Sequence, residues 1–343
     1  MSNGDRRALL ARVASLYYEK NLTQAEIAKQ LSISRPQVSR LLAEGRQAGV
    51  VEIIIHHPAE KHTTLKQDLI ERFGLKEAKL VMKKQLGYTQ LIEQLGVMAA
   101  RHLEEKLEDD MVLGISWNTG VYQVVNAFRA ARKKRVTVVQ LTGAVGSINP
   151  LFDGPDLTRW LAQTLGGQYR YLPAPLVVDT SETRQALLQN RSIRELLELF
   201  DRMDMALIGI GSLTPALSSL LLAGYISEAT LREIIRQGGA GDICGYHYDL
   251  HGNVLNLSLH DRLIAVSLEA LRKTPYVIGV GGGLEKAMAV LGALRLGVID
   301  CLITDEVAAR AVLKLSATTE VSAELTRYNT PKSSTEPAAR RQG

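Results

Sequence analysis

Residues 24–42, QAEIAKQLSISRPQVSRLL, constrain this chain more than any other stretch. Their spacing predicts two short helices joined by a tight turn at Ser32, with Ala28, Ile33, Val38 and Leu41 turned inward to hold the pair together. Ser34 suits an N-cap and Pro36 a first turn, so the second helix is expected to begin near Arg35. Ser34, Arg35, Gln37, Ser39 and Arg40 would then face solvent, with Gln24 at the head of the preceding helix. Side chains that can donate to guanine, adenine or phosphate, carried on an exposed helix start, fit a DNA major groove. A generic helical hairpin with a solvated basic face would explain the two arginines alone, but not helix spacing, turn chemistry and apolar pattern together.

An amphipathic segment at 6–19 supplies Leu9, Val13 and Leu16 as a third packing surface, and the run VVEIII at 50–55 predicts a strand closing the unit. The expectation is a helix-turn-helix DNA-binding domain over residues 1–56. Residues 57–62 are polar, contain Pro58 and predict a linker. From Thr63 the pattern changes. Short apolar runs at 111–115, 136–141, 205–210, 276–280 and 301–304 alternate with helical patterns at 89–107, 120–132, 192–202, 228–237, 285–295 and 307–315. Such alternation predicts an α/β domain over 63–320, Rossmann-like, with a largely parallel sheet covered on both faces. On the 89–107 helix, Leu91, Leu95, Met98 and His102 share a face that suits packing on the sheet rather than on a second subunit. Residues 321–343 are polar without sustained periodicity and predict a flexible tail.

The chain of 343 residues carries a net charge of +5. Residues 1–62 hold nine Lys/Arg against six Asp/Glu and residues 321–343 hold four against two, so the middle of the chain is neutral. The positive excess sits on the expected DNA-binding end and the tail, the direction that phosphate neutralisation requires. Cys244 and Cys301 follow neither a zinc spacing nor a disulfide framework, and each suits a small buried hydrophobe. With no signal core at the start and no apolar run long enough for a membrane span, the expected location is cytoplasmic.

Ligands of open α/β sheets sit beyond the carboxyl ends of the strands. GISWNTG (114–120) follows a strand and opens a helix, so its N–H groups with Ser116 and Thr119 could receive an anion. TGAVG (142–146) follows a second strand, bringing in Thr142 and Gly143, and GIGSLT (209–214) a third. GVGGGLEKA (279–287) is the sharpest: Gly281 and Gly282 permit close backbone approach, and Lys286 can be aimed at a phosphate or, taken alone, stand as a surface lysine beside a glycine turn. Its Gly279, Gly281 and distant Asp300 begin a dinucleotide fingerprint, but Leu284 stands where the third glycine is wanted, which favours a phosphorylated small ligand. Asp242 and Asp305 can accept sugar hydroxyls, while also suiting a turn and a helix cap respectively. His247 and His251 flank Asp249 at a metal-like spacing, but the surrounding residues signal a hairpin turn, and neither a metal nor a cofactor is expected.

With these segments in hand, the chain resembles the SorC family of bacterial transcriptional regulators over about residues 6–315. The resemblance is carried by LTQAEIA (22–28), SRPQVSRLL (34–42), GDICG (241–245), GGLEKA (282–287) and TDEVAA (304–309). It implies an effector domain related to sugar-phosphate isomerases and deaminases, a pocket for a phosphorylated sugar or related metabolite, double-stranded operator DNA as partner, and assembly as a homodimer or homotetramer. It also implies effector contacts for Asp242, Lys286 and Asp305, and a phosphate or sugar role for Ser116 to Thr119. One departure is that the family loop commonly reads Trp-Gly-x-Thr, whereas here Asn118, Thr119 and Gly120 follow Trp117. Two rival functions stay open at this point: an enzyme with Lys286 as base or Schiff-base amine and Asp242 or Asp305 as acid, and a constitutive DNA-binding protein whose large domain only oligomerises.

Overall fold

In the computed structural model, residues 3–20, 22–51, 62–82, 86–146 and 153–329 are described. The chain divides into two units, Met1–Glu60 and Lys61–Gly343. The expected strand at 50–55 falls almost wholly outside the described residues, as does most of the expected linker.

The first unit is three helices, α1 (Asn3–Tyr18), α2 (Gln24–Leu31) and α3 (Arg35–Gln47). Both helices of the pair start with a reciprocal capping box. Thr23 and Glu26 form the first, and Ser34 and Gln37 the second, satisfying amide groups that a helix start leaves orphaned. Ser32 takes the left-handed conformation, φ 54°, that lets the turn be tight. Leu10, Val13, Ile27, Val38, Leu41 and Leu42 form the buried core. Ile27, fully buried, does the work that the sequence analysis gives to Ala28, which only borders the core. The exposed Arg6 guanidinium clasps the Glu44 carboxylate, tying α1 to α3.

In the second unit, α4 (His62–Phe73) precedes β1 (Glu77–Val81) and α5 (Tyr88–Lys106). Then follow β2 (Val112–Ile115), α6 (Thr119–Ala127), β3 (Thr137–Gln140), α7 (Gly154–Leu165), β4 (Gln168–Arg170), α8 (Ser181–Leu188), α9 (Arg191–Phe200) and β5 (Met205–Gly209). After β6 (Gly211–Ser212) come α10 (Ser219–Leu222), α11 (Glu228–Arg236), β7 (Gly239–Ile243), β8 (Tyr246–Asp249), α12 (Leu268–Lys273), β9 (Tyr276–Val280), α13 (Ala287–Leu296), β10 (Cys301–Asp305) and α14 (Glu306–Asn329). Seven strands form one parallel sheet in the order β1-β10-β9-β5-β2-β3-β4. Strands β5, β9 and β10 are almost continuously apolar and buried, as a sheet covered on both faces requires. One face packs on a core that includes Ile208, Val277 and Leu302, and the other on a core that includes Leu113, Leu207 and Ile303. On α5, Leu91, Leu95, Ala99 and Leu103 are buried and His102 is held by the Tyr276 hydroxyl at 2.9 Å.

A second, antiparallel sheet of β6, β7 and β8 stands apart. Cys244 (φ 51°) and Gly245 (φ 88°) make its two-residue turn, both in the positive-φ region that such hairpins need. The last helix runs to Asn329, beyond position 321 where a tail is expected to begin. No proline or glycine interrupts the chain before Pro331, so nothing in the sequence stops the helix there. The helix expected over 120–132 ends at Ala127, with Phe128 extended and buried in the core beneath it.

Candidate nucleic-acid interface and effector crevice

On α3, Ser34, Arg35, Gln37, Ser39 and Arg40 are all exposed, while Val38 between them is fully buried and Gln24 is half-buried at the start of α2. Arg35 and Arg40 have no ion-pair partner among the described residues, so both guanidinium groups stand open. Gln37 is different. Its carbonyl oxygen accepts the Ser34 amide at 3.0 Å, and its own amide is capped by Ser34 Oγ at 3.3 Å. Sequence reasoning took Ser34 and Gln37 as contact residues. The structure commits the Ser34 hydroxyl and one side of the Gln37 amide to the helix start.

The second constellation follows from strand order. The chain runs outward from β2 through β3 to β4, then returns to β5 on the other side of β2 and continues through β9 and β10. The order therefore reverses between β2 and β5, and the region beyond the carboxyl ends of those strands is where ligands of open α/β sheets bind. There, Ser116 donates its backbone amide to Leu207 O at 3.0 Å, and its Oγ accepts the Gly209 amide at 3.1 Å. Asn118 caps α6 through Oδ1 to the Val121 amide at 2.8 Å. Gly209 is required beside it, because a Cβ there would fall 1.7 Å from Asn118 Nδ2. Gly211 likewise makes room for Asp242, whose Oδ1 would lie 1.8 Å from a Cβ at that position. Asp242 itself is set by the β6–β7 pairing of Gly211 with Asp242.

Lys286 lies in a single 3-10 turn after β9, 7% exposed, and donates from Nζ to Ile210 O at 2.7 Å. No direct ion pair joins it to Asp242 among the described residues, but each feels the other. Burial pushes the Asp242 carboxyl up to about 6 against the pull of Lys286, and burial brings the Lys286 ammonium down to about 8 against the pull of Asp242. An ammonium with one hydrogen bond to a carbonyl has donors to spare, and a carboxylate facing it accepts hydroxyls. Together they suit a polyhydroxylated ligand carrying negative charge.

The structure thus brings Ser116, Asn118, Asp242, Gly281 and Lys286 together around the segment from Gly209 to Gly211. Trp117 is half-buried against two cores, and Thr119 is exposed on the first turn of α6. Thr142 and Gly143 lie one strand further on. Gly143 donates to Ile264 O, and a Cβ on it would strike Pro175 O at 2.3 Å. Thr142 is fully buried with its Oγ1 unpartnered. Asp305 is a helix cap and loop tie: Oδ1 accepts from Val307 and Ala308, and Oδ2 accepts from Gly283 at 2.5 Å. A Cβ on Gly282 would meet that same Oδ2 at 2.6 Å. Asp305 therefore shapes the glycine loop, and its oxygens are occupied by backbone amides.

Asp300 accepts from the Val277 amide at the amino end of β9, the pole opposite the glycine loop. That placement removes the acidic arm of a dinucleotide site. Asp249 holds the β8 turn through the His251 and Asn253 amides, while His247 turns inward, its ring stacked on His260 at 5.7 Å. Burial brings both imidazoles down to about 4. His260 gives no local sequence signal, because its partner is a hairpin away. Asp153 and Tyr225 were also missed. Asp153 accepts from Val145, Gly146 and Gly154, and the Tyr225 hydroxyl donates to Ala144 O and Val145 O, fixing the loop after β3 from two sides. The dipeptide Gly154–Pro155 after Asp153 is a helix-start signature that could have flagged it.

Residues 57–314 match the family described as "Putative sugar-binding domain", and residues 11–48 match sigma-70, region 4. The deoxyribonucleoside regulator of Bacillus subtilis (strain 168) is 31% identical, over 90% of this chain and 98% of its own length. The sorbitol operon regulator of Klebsiella pneumoniae is 31% identical over 92% of this chain and 100% of its own, and the transcriptional regulator LsrR of Enterobacter sp. (strain 638) is 34% identical over 90% and 93%. The crystal structure of the full-length sorbitol operon regulator SorC from Klebsiella pneumoniae superposes with a TM-score of 0.76, covering 89% of this chain and 98% of that one. A three-helix unit matched by sigma-70, region 4 and a parallel α/β unit matched by the sugar-binding family, on a chain that these relatives match almost end to end, place it in the SorC family: it is a DNA-binding transcriptional regulator with a sugar-binding effector domain.

Proposed function

We propose that the effector is a phosphorylated sugar or sugar-derived metabolite, bound in the crevice at the β2–β5 reversal. The observation that carries this reading is the convergence of two buried charges on the Gly209–Gly211 segment: Lys286 Nζ donates to Ile210 O at 2.7 Å, and the Asp242 carboxyl crowds Gly211, with the start of α6 alongside. In this reading the exposed amides of Thr119 and Gly120 receive the phosphate. Lys286 and Asp242 hold the sugar oxygens, and Asp305 keeps the Gly281–Gly283 loop in shape. Ligand binding shifts the balance between subunit arrangements that fit two operator half-sites and those that do not. The working assembly is a homodimer or homotetramer in the cytoplasm, with residues 1–56 reading double-stranded DNA.

The chain binds its metabolite without transforming it. Asp242 and Lys286 do have the displaced proton affinities of an acid and base pair, so a catalytic reading has one observation in its favour. Thermal-shift screening of sugars against their phosphates is the direct test of the first reading. Selective stabilisation by a phosphorylated member supports it, and stabilisation by none overturns it. Turnover of the stabilising compound, or its trapping on Lys286 by borohydride, would establish the enzyme instead.

A further inference from the structure

At one edge of the parallel sheet, β1 has three buried and two partly buried residues; at the other, all three residues of β4 are exposed. Register pairs Tyr169 with Val138, whose side chain enters the core that also holds Leu157 and Leu161 of α7. Tyr169 therefore lies on the α7 face of the sheet, with Gln168 and Arg170 on the other. Tyr171 follows two residues on and stacks on Tyr169 at 6.1 Å, while Trp160 of α7 meets Tyr122 of α6 edge to face at 6.4 Å. Trp160, Tyr169 and Tyr171 are 37%, 36% and 54% exposed. In a chain with only 5% aromatic residues, this concentration along one sheet edge marks an interaction surface.

The backbone narrows the partner. Gln168 donates its amide to Val136 O at 2.9 Å, so within the parallel ladder Gln168 and Arg170 bond inward and the amide and carbonyl of Tyr169 face the open side. On the other face, the Arg170 guanidinium donates to Gln168 Oε1 at 3.1 Å and reaches over to Tyr169 O at 3.0 Å. An antiparallel strand of the same sequence, centred on Tyr169, matches every one of these groups. The two Tyr169 residues exchange N–H···O=C bonds, and Gln168 of each copy lies opposite Arg170 of the other, so the existing donor–acceptor pair is re-formed twice across the axis. A twofold relation between identical chains supplies that self-complementarity. Three strand residues are too few for a stable interface, which buries about 800 Å² per side. The exposed tyrosines and Trp160 provide the apolar remainder.

We infer that the β4 edge, with its flanking aromatic residues, pairs antiparallel with the same edge of a second copy of this chain. The inference rests on the symmetric assembly proposed above and adds the surface that builds it. Sedimentation velocity of the full-length chain across the micromolar range tests it. Tyr169→Pro deletes the outward amide and leaves the bonds to β3 in place, because proline is accepted on an edge strand where its nitrogen faces solvent. This variant is expected to lose one association step, tetramer to dimer or dimer to monomer. Gln168→Lys sets an ammonium opposite a guanidinium at two symmetric places and should weaken that step about tenfold, and adding Arg170→Glu should restore it. Wild-type association in both Tyr169→Pro and Gln168→Lys, with native circular dichroism, overturns the surface. A wild-type chain that is monomeric throughout overturns the symmetric assembly itself. Should Tyr169→Pro fail to fold, the Gln168→Lys weakening and its rescue decide alone.

Discussion

Gly209 gives its amide hydrogen to the hydroxyl of Ser116 at 3.1 Å, joining the ends of two strands where the order of the sheet reverses. The bond fixes the floor on which Asn118, Asp242 and Lys286 stand. Because a Cβ at Gly209 would overlap the Asn118 amide, Gly209→Ala must expel that side chain and lose the α6 cap. The expected cost is about 1–3 kcal/mol in chemical denaturation. Effector-induced stabilisation should fall with it; a variant with full stability and full response would refute this account of the floor.

Operator binding should depend on the two open guanidinium groups of α3. Arg35→Ala and Arg40→Ala are each expected to cost about 1–3 kcal/mol if the residue reads a base, whereas a phosphate contact should lower the salt slope by about one. Fluorescence anisotropy across a salt series separates the two. Undiminished affinity in both would misplace the recognition helix.

Lys286 should make effector binding depend on pH in a defined direction. Its proton is lost near pH 8 in the free protein, and an anionic ligand favours the charged form. Affinity for a phosphorylated effector is therefore expected to decline above about pH 8, approaching tenfold per pH unit, with proton uptake on binding. Calorimetry in buffers of different ionisation enthalpy measures that uptake. Lys286→Ala should weaken the ligand and leave the unliganded chain bound to its operator; the reverse pattern would dissolve the proposed division of labour.

Acid stability offers a check on the buried hairpin. His247 and His260 have depressed folded values near 4, so their contribution is present above about pH 6.5 and is lost as pH falls toward 4. Asp242 has a raised folded value near 6, so its protonation in the fold recovers stability over the same descent. In Asp242→Asn the compensating branch is gone, and the loss between about pH 6.5 and 4 should steepen. Identical urea midpoints for wild type and variant across that range would disprove the opposition.

The sequence was most legible where one local rule decided the outcome. Ser34 with Pro36 announced the start of α3, and the continuous apolar runs announced β5, β9 and β10. What escaped was settled by distant partners or by short segments. β4 has three exposed residues and no apolar pattern, β1 mixes Glu77 and Lys79 with apolar residues, and β6 is two residues long. Asp305 drew attention as a ligand contact because its position beyond an apolar strand is equally that of a cap, and only the Val307, Ala308 and Gly283 amides decide between them. Asp242 and Lys286 were singled out as candidates from their glycine-rich surroundings. Their convergence on the Gly209–Gly211 segment depends on a crossing of strands that no local pattern encodes.

The bond from Ser34 to the Gln37 carbonyl has a consequence for the vocabulary available to α3. A glutamine with both ends free accepts and donates at once, which is how it singles out adenine. Here the accepting end already takes the Ser34 amide and hydroxyl, and recruiting it would give up that half of the capping box, while the Ser34 Oγ cap on the Gln37 amide stays. A Gln37 that reaches DNA would thereby be a one-way probe: its free amino group could detect an acceptor in the groove or on a phosphate, and it would be blind to the exocyclic amino group by which adenine differs from guanine in the major groove.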